Sequence, residues 1–360
     1  MSVLTGMVGH GFYNENSAPQ MASIEHVLPW LDAACSSVDL SDPSAAIRLA
    51  DFGCSEGRNS VAVMQRMAVR LRQRSALPIE TIHSDLPTND YSQLFALLRP
   101  QGRSAFNEPD IFSAVVGGSM YDRLLPARSL HMAFTFNAIA FLSRRPVERL
   151  PGYIFPNGPS ALRGIGTISE TERKAFADQA RADLDAFLRV RAAELKPGGK
   201  LLIEVFGAGE TLRTCDGIYD VLNDAILALL EAGTISRDDY DRYYQPVYMR
   251  TLDELIAPVV GPGAPMAELF QLDRSDTYEI AVPFVETFKQ TGDIKTYARE
   301  FTNFYRAFTE AVLRDSFSHY QDLDHLIDDI YARAEQLVSR HPERYEFHYI
   351  AIAALLTRKA

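Results

Sequence analysis

The 360-residue sequence has few cysteines, a single tryptophan and no long uninterrupted apolar run. Its cysteines, Cys35, Cys54 and Cys215, lack the spacing of a disulfide framework or a CxxC zinc site, which favours a reducing compartment. No stretch approaches the ~18 apolar residues that span a bilayer. The N-terminus also lacks the basic and apolar regions of a secretory signal. We therefore expect a cytoplasmic protein with no membrane partner and no metal.

Positive charge is scarce as well. Lysine and arginine total 36 against 47 aspartates and glutamates, which leaves a net charge of -11. This balance argues against a nucleic-acid partner, because nucleic acids are bound through basic surfaces. It does not identify the partner. The apolar share of 47% is that of an ordinary globular protein with a packed core.

Short apolar runs alternate with helical patterns over the first 208 residues. The predicted strands are Ala46–Gly53, Ile79–Asp85, Ile111–Gly117, Leu130–Asn137 and Lys200–Gly207, and Ser60–Arg74 and Glu170–Leu195 are predicted helices. Nearly continuous apolar strands are typical of a parallel sheet covered on both faces. The alternation predicts an α/β fold with a mostly parallel, doubly wound, Rossmann-like sheet.

The character of the chain changes after residue 208, where apolar stripes at helical spacing dominate. Two later segments, Glu268–Asp273 and Phe347–Thr357, are predicted to return to the sheet. The aromatic stripe at 297–308 is interpreted as helical core rather than as part of a ligand cage. The predicted division is a core over 1–208 with an N-terminal lid at 1–20, a mainly helical inserted cap with returning strands over 209–340, and a last core strand over 341–360.

The turn after the first strand, Leu49–Asn59 (LADFGCSEGRN), is the strongest candidate site. Open α/β sheets bind ligands outside the carboxyl ends of their strands. The G-x-G-x-x-G pattern of dinucleotide folds is absent, and Asp51 and Glu56 would crowd negative charge near a phosphate. An aspartate here suits a ligand that carries an ammonium and a sulfonium. Asp85, at the end of the second strand, suits ribose hydroxyls, although a helix-cap role before Pro87 is an alternative.

Five segments then extend the pattern along the chain. They are Phe12–Gln20 (FYNENSAPQ), Asp51–Asn59 (DFGCSEGRN), Ser84–Phe95 (SDLPTNDYSQLF), Gly118–His131 (GSMYDRLLPARSLH) and, more loosely, Gln245–Leu255. They resemble, in the same order, S-Y-x-x-N-S-x-x-Q, D-L-G-C-S-S-G-P-N, N-D-L-P-x-N-D-F-N-x-L-F, G-S-F-Y-x-R-L-F-P-x-x-S-L-H and P-x-Y-x-P-S-x-x-E-V of the SABATH methyltransferases, named for salicylate, benzoate and theobromine enzymes. The resemblance spans the chain.

The resemblance implies a class I methyltransferase that binds S-adenosyl-L-methionine and releases S-adenosyl-L-homocysteine. Positions that match the family's contacts to the methionine part are Tyr13, Ser17, Asp51, Gly53, Cys54 through its backbone, and Asn59. Those that match the ribose and adenine contacts are Asp85, Leu86, Ser119 and Met120. Methionine is a plausible apolar substitute for the family's aromatic residue at position 120.

The acceptor side departs from the family. Gln20 matches a glutamine whose amide donates to the substrate carboxylate. The family's S-S-Y-S-L-x-W-L-S corresponds to Thr135–Ser143 (TFNAIAFLS), so Asn137 replaces tyrosine and Phe141 replaces the tryptophan donor. Phenylalanine cannot donate a hydrogen bond. Either Asn137, His10 or water supplies the second contact, or the acceptor is not a free carboxylate.

Two further positions are assigned to the acceptor pocket. Ala140 beside Phe141 predicts a pocket that is apolar and wider, and Tyr219 stands for the family's tryptophan in the aromatic wall. The resemblance thus implies methylation of a small aromatic or aliphatic carboxylic acid to its methyl ester, in a homodimer. Carboxylates, with a pKa near ~4–5, need no general base. N- or phenolic O-methylation is the alternative, and a nicotinamide-dependent oxidoreductase or an inactive cofactor-binding protein is less expected.

Overall fold

The computed structural model describes residues 6–41, 46–214 and 216–360. Cys215 and the first five residues of the predicted lid lie outside this part. The strands are β1 (Ile47–Phe52), β2 (Ile79–Asp85), β3 (Ile111–Gly117), β4 (Leu130–Phe136), β5 (Leu195–Phe206), β6 (Phe270–Ile280) and β7 (Tyr349–Arg358). The helices are α1 (Phe12–Asn16), α2 (Ala18–Ser37), α3 (Arg58–Arg72), α4 (Tyr91–Leu98), α5 (Glu170–Glu194), α6 (Asp216–Glu231), α7 (Arg237–Arg242), α8 (Leu252–Ile256), α9 (Pro283–Thr291), α10 (Ile294–Ser316) and α11 (Leu323–Arg340).

The strands form one sheet in the order β3-β2-β1-β4-β5-β7-β6. The first five strands are parallel, whereas β7 runs antiparallel to both β5 and β6. The central strands β1, β4 and β7 are almost wholly buried, as their continuous apolar sequences require. The predicted mostly parallel, Rossmann-like sheet is confirmed.

Two strand boundaries differ from the sequence prediction by more than two residues. The fifth strand begins at Leu195, not Lys200, because Leu195 already pairs with Leu130 and a register shift absorbs the Pro-Gly-Gly segment that follows. The sixth strand continues to Ile280, beyond the predicted end at Asp273. It lies at the edge of the sheet, where polar residues are tolerated and apolar periodicity is weak.

Helices after residue 215 pack mainly against one another. The buried face of α10 includes Phe301, Phe304 and Tyr305, and Phe284 of α9 contacts this cluster. Most of the 297–308 stripe is therefore core, as predicted, and Phe308 is the exception described below. The described helices include none with the length and apolar character to cross a membrane. The division of the chain into core and cap stays a prediction.

Candidate active site

A cavity of about 490 Å³ lies at the carboxyl ends of β1, β2, β4 and β5. This volume is in the range of small-molecule sites. The cavity is lined by Gly6, Met7, Tyr13, Gln20, Gly53, Ser55, Ser84, Asp85, Leu86, Gly118, Ser119, Met120, Tyr121, Asp122, Phe136, Asn137, Ala138, Phe141, Leu142, Ser143, Asp183, Ala186, Phe206 and Phe308. This lining, drawn from the described residues, contains aspartates but no lysine, arginine or histidine. It therefore offers no side-chain cation to neutralise the pyrophosphate of a dinucleotide.

The turn between β1 and α3 is fastened to the end of β2. Gly53 adopts a φ of +102°, and a Cβ there would overlap the side chain of Ala138. Asp85 accepts the Ser55 amide at 2.6 Å through Oδ2 and the Leu86 amide at 2.7 Å through Oδ1. A carboxylate oxygen has more than one lone pair, so Asp85 keeps acceptor capacity for ligand hydroxyls.

Two buried polar atoms at this turn have no partner among the described residues. They are Oδ1 of Asp51 and Oγ of Ser55. Asp51 is 2% exposed, and burial raises its pKa to about 7. Burial, followed by the charges of Asp85 and Asp51, raises the pKa of the Tyr13 hydroxyl, and Tyr13 and Asp85 line the same cavity. Unsatisfied buried acceptors of this kind fit a cationic ligand with several donors.

Glu56 does not line the cavity, so its charge does not crowd the ligand site as the sequence had suggested. Its carboxylate accepts the amides of Gly11 at 2.6 Å and Asn14 at 2.9 Å. The side chain of Asn14 in turn accepts the Arg58 amide at 3.1 Å. Glu56 therefore joins the N-terminal segment to the turn between β1 and α3. This contact holds α1, with Tyr13, beside the cavity.

Only some of the predicted cofactor residues line the cavity. Tyr13, Gly53, Asp85, Leu86, Ser119 and Met120 line the cavity, whereas Ser17, Asp51, Cys54 and Asn59 do not. The backbone of Cys54 is already engaged, because its amide donates to Ser84 and its carbonyl accepts the Gly57 amide. Burial also raises the pKa of the Cys54 thiol, which disfavours a nucleophilic role.

Two side-chain amides reach the other end of the cavity. Gln20 is 4% exposed, and its Oε1 has no partner among the described residues. Oδ1 of Asn137 accepts the Phe206 amide at 3.0 Å and the Tyr349 hydroxyl at 2.9 Å. A backbone N–H can only donate, so this contact fixes the orientation of the Asn137 amide. Its Nδ2 donors therefore remain for the cavity that Asn137 lines.

Aromatic side chains enclose this end. Phe141 meets Phe206 edge-to-face at 6.2 Å, and Phe206 stacks on Phe308 of α10 at 6.5 Å. Phe206 could have been predicted, since it ends a parallel strand as Asp85 does. Phe308 could not have been predicted as a site residue, because its spacing in the sequence continues the apolar stripe of a buried helix.

Three residues assigned to the acceptor pocket lie outside the cavity lining. His10 is exposed, and its amide donates to Asp90 at 2.9 Å. The buried Ala140 offers its carbonyl to the Tyr248 amide. Tyr219 stacks on Phe155 at 4.4 Å within the buried core. Tyr121 and Asp183, which do line the cavity, were missed.

Comparison with known proteins assigns the family. The model described as SAM dependent carboxyl methyltransferase matches residues 3–359, nearly the whole chain. The chain belongs to this SABATH family. This methyltransferase is accordingly an S-adenosyl-L-methionine-dependent carboxyl O-methyltransferase, and the unpartnered acceptors and the ribose-compatible Asp85 fit that cofactor.

Relatives extend over the full chain. The methyltransferase is 25% identical to a probable jasmonic acid carboxyl methyltransferase of Theobroma cacao, covering 98% of this chain and 96% of the relative. It is 24% identical to the salicylate carboxymethyltransferase of Clarkia breweri, covering 99% and 98%. A solved loganic acid methyltransferase with SAH shares the fold, with a TM-score of 0.78, 23% identity and 99% coverage of both chains.

Proposed function

We propose that this methyltransferase converts a small, mainly apolar monocarboxylic acid, aromatic or aliphatic, into its methyl ester. The observation that carries the proposal is the acceptor end of the cavity, where the side-chain amides of Gln20 and Asn137 lie among Phe141, Phe206 and Phe308. Gln20 and Asn137 would donate to the two carboxylate oxygens. Asn137 would thus take the place of the donor that Phe141 cannot provide.

A second acidic group on the substrate would be disfavoured. The described cavity lining holds no cation to balance it, and Asp122 and Asp183 would repel it. The acids in the names of the relatives, jasmonic, salicylic and loganic acid, are consistent with a small acid.

In the proposed mechanism, the cofactor when bound supplies the electrophilic methyl group. Tyr13, Asp51 and Ser55 would hold its methionine part, Asp85 and Leu86 its ribose and adenine, and Ser119 and Met120 the other side of the adenine. Gly53, Cys54 and Asn59 would shape the turn, and Ser17, whose hydroxyl donates to the Asn14 carbonyl, would support the segment that carries Tyr13. The acceptor carboxylate is ionised at neutral pH, so no residue has to remove a proton. The chain contributes by orienting the acid and excluding water, effects that reach roughly 7–11 kcal/mol.

An acid panel tests this proposal. Purified protein is incubated with methyl-labelled cofactor and with benzoate, a medium-chain fatty acid, phthalate and succinate, and ester formation is followed. We expect kcat/KM for the monocarboxylates to exceed that for the dicarboxylates. Equal or better use of the dicarboxylates would contradict the proposal.

We also propose a cytoplasmic homodimer. The homodimer rests on the family resemblance, and the cytoplasm on Cys35 and Cys54, which are buried and unpaired. Sedimentation equilibrium would detect the dimer, and a monomer at assay concentrations would overturn it. Imaging of the tagged chain in its host would test the compartment.

A further inference from the structure

The segment of residues 139–143, here named the acceptor loop, carries Phe141 into the cavity. Each of its five residues has a backbone group held by another part of the chain. The carbonyls of Ile139, Ala140 and Phe141 accept from Arg250 Nη1 at 2.6 Å, the Tyr248 amide at 2.9 Å and the Tyr121 hydroxyl at 2.6 Å, while the amides of Leu142 and Ser143 donate to the Pro246 carbonyl and to Asp183 Oδ2, both at 2.9 Å.

Arg250 differs from the other partners because its charged guanidinium is buried. It is 2% exposed, and its Nη2 donates to the Ala180 carbonyl of α5 at 2.6 Å. Among the described residues, no carboxylate lies within ion-pair distance of its guanidinium. A buried charge is costly, and Asp183 and Glu254 stabilise this one only from beyond ion-pair distance, so the two carbonyls are its direct hydrogen-bond partners. Arg250 thereby joins the acceptor loop to α5.

Tyr121 holds the loop from the opposite side. It follows the adenine-side residues Ser119 and Met120, and it lines the cavity itself. Burial raises the pKa of its hydroxyl, which therefore remains a neutral donor to the Phe141 carbonyl. An antiparallel bridge between Phe141 and Val247 completes the frame.

We infer that Arg250 and Tyr121 are positioning residues that set acceptor selectivity by fixing the acceptor loop and hence the Phe141 ring. Arg250 does this from outside the cavity. The expected change in acceptor selectivity rests on the proposed function, because it requires that the Phe141 ring contacts the substrate acid. The expected protection of the loop backbone from hydrogen exchange does not depend on any substrate.

The test compares Arg250→Met with Arg72→Met. Arg72 also donates to three backbone carbonyls, those of Ser75, Leu77 and Pro109, but far from the acceptor loop in the chain and outside the cavity. Hydrogen exchange is followed in the peptide that contains the Leu142 amide. The ratio of kcat/KM for benzoate to that for naphthoate is measured in parallel, with S-adenosyl-L-homocysteine affinity as the check on cofactor binding.

For Arg250→Met we expect faster exchange at Leu142 and a selectivity ratio changed roughly fivefold or more, as the loss of a buried hydrogen bond implies. Arg72→Met should change neither. Unchanged exchange or an unchanged ratio would overturn the inference. If Arg250→Met does not fold, the inference is tested with Tyr121→Phe, which removes one hydroxyl. The same hydrogen-exchange and selectivity measurements are made on that variant. A wild-type protein that methylates no acid refutes the proposed function, while exchange at Leu142 still decides this inference.

Discussion

Replacement of Asn137 by aspartate isolates the proposed acceptor contact. An aspartate oxygen can still accept the Phe206 amide and the Tyr349 hydroxyl, so the local backbone contacts are kept. The other oxygen replaces the Nδ2 donors and meets the acceptor carboxylate as a second negative group. Asn137→Asp therefore changes the chemistry of the contact with almost no change in shape.

The expected loss follows from the kind of hydrogen bond removed. A hydrogen bond to a charged group contributes about 1.5–3 kcal/mol, which corresponds to roughly 10- to 150-fold in kcat/KM. Repulsion between the two carboxylates adds to this loss. The loss should shrink at low pH, because a protonated aspartate can donate again.

The assay is kcat/KM for the best acid of the panel, with S-adenosyl-L-homocysteine affinity measured by calorimetry. Asn223→Asp is the matched control, since Asn223 is buried, accepts the Tyr240 hydroxyl at 2.8 Å and lies outside the cavity lining. We expect the control to stay within about twofold of wild type. If Asn137→Asp also stays within about twofold while cofactor affinity is unchanged, Asn137 does not bind the carboxylate.

Four further substitutions test other parts of the account. Asp85→Asn should weaken S-adenosyl-L-homocysteine binding about tenfold or more in calorimetry, and an unchanged affinity would exclude the ribose contact. Gly53→Ala should lower the melting temperature, because the turn needs φ +102° and the new methyl overlaps Ala138; an unchanged temperature would mean that the turn relaxes without cost. Burial raises the pKa of Glu204 from 4.5 to about 8. The folded chain therefore keeps a proton that the unfolded chain releases, and stability should fall as pH rises from about 4.5 to about 8. Glu204→Gln should make this fall smaller without abolishing it, because burial also raises the pKa of Asp51, and chemical denaturation at several pH values measures the difference. Phe141→Trp should shift acceptor preference across the panel, and an unchanged preference would place position 141 outside the acceptor contact.

The sheet and the cofactor turn could be predicted because their signals are local. Continuous apolar strands with Asp51 and Asp85 at or near their carboxyl ends indicate a parallel sheet and its binding edge without any knowledge of packing. The ordered motifs then identified the family. The predicted strand at β6 ends too early, because an edge strand has one partner and tolerates polar residues that hide its apolar pattern.

The acceptor end was harder to predict because its residues come from distant parts of the chain. Asn137 was noted from its motif position, but only the Phe206 amide shows which way its side chain points. Phe308 belongs to a stripe that is otherwise core. Arg250 and Asp183 carry no local signal, since a buried charge is recognised by its surroundings and not by its neighbours in sequence.

The most direct test of the account is the chemical nature of the methylated product. The enzyme is incubated with methyl-labelled S-adenosyl-L-methionine and an acid that also carries a phenol and an amine, and the product is treated with mild alkali before mass spectrometry. The account predicts that the label enters as one methyl group and is released as methanol, as an ester requires. A labelled product that resists alkali, as an aryl ether or N-methyl amine would, contradicts it.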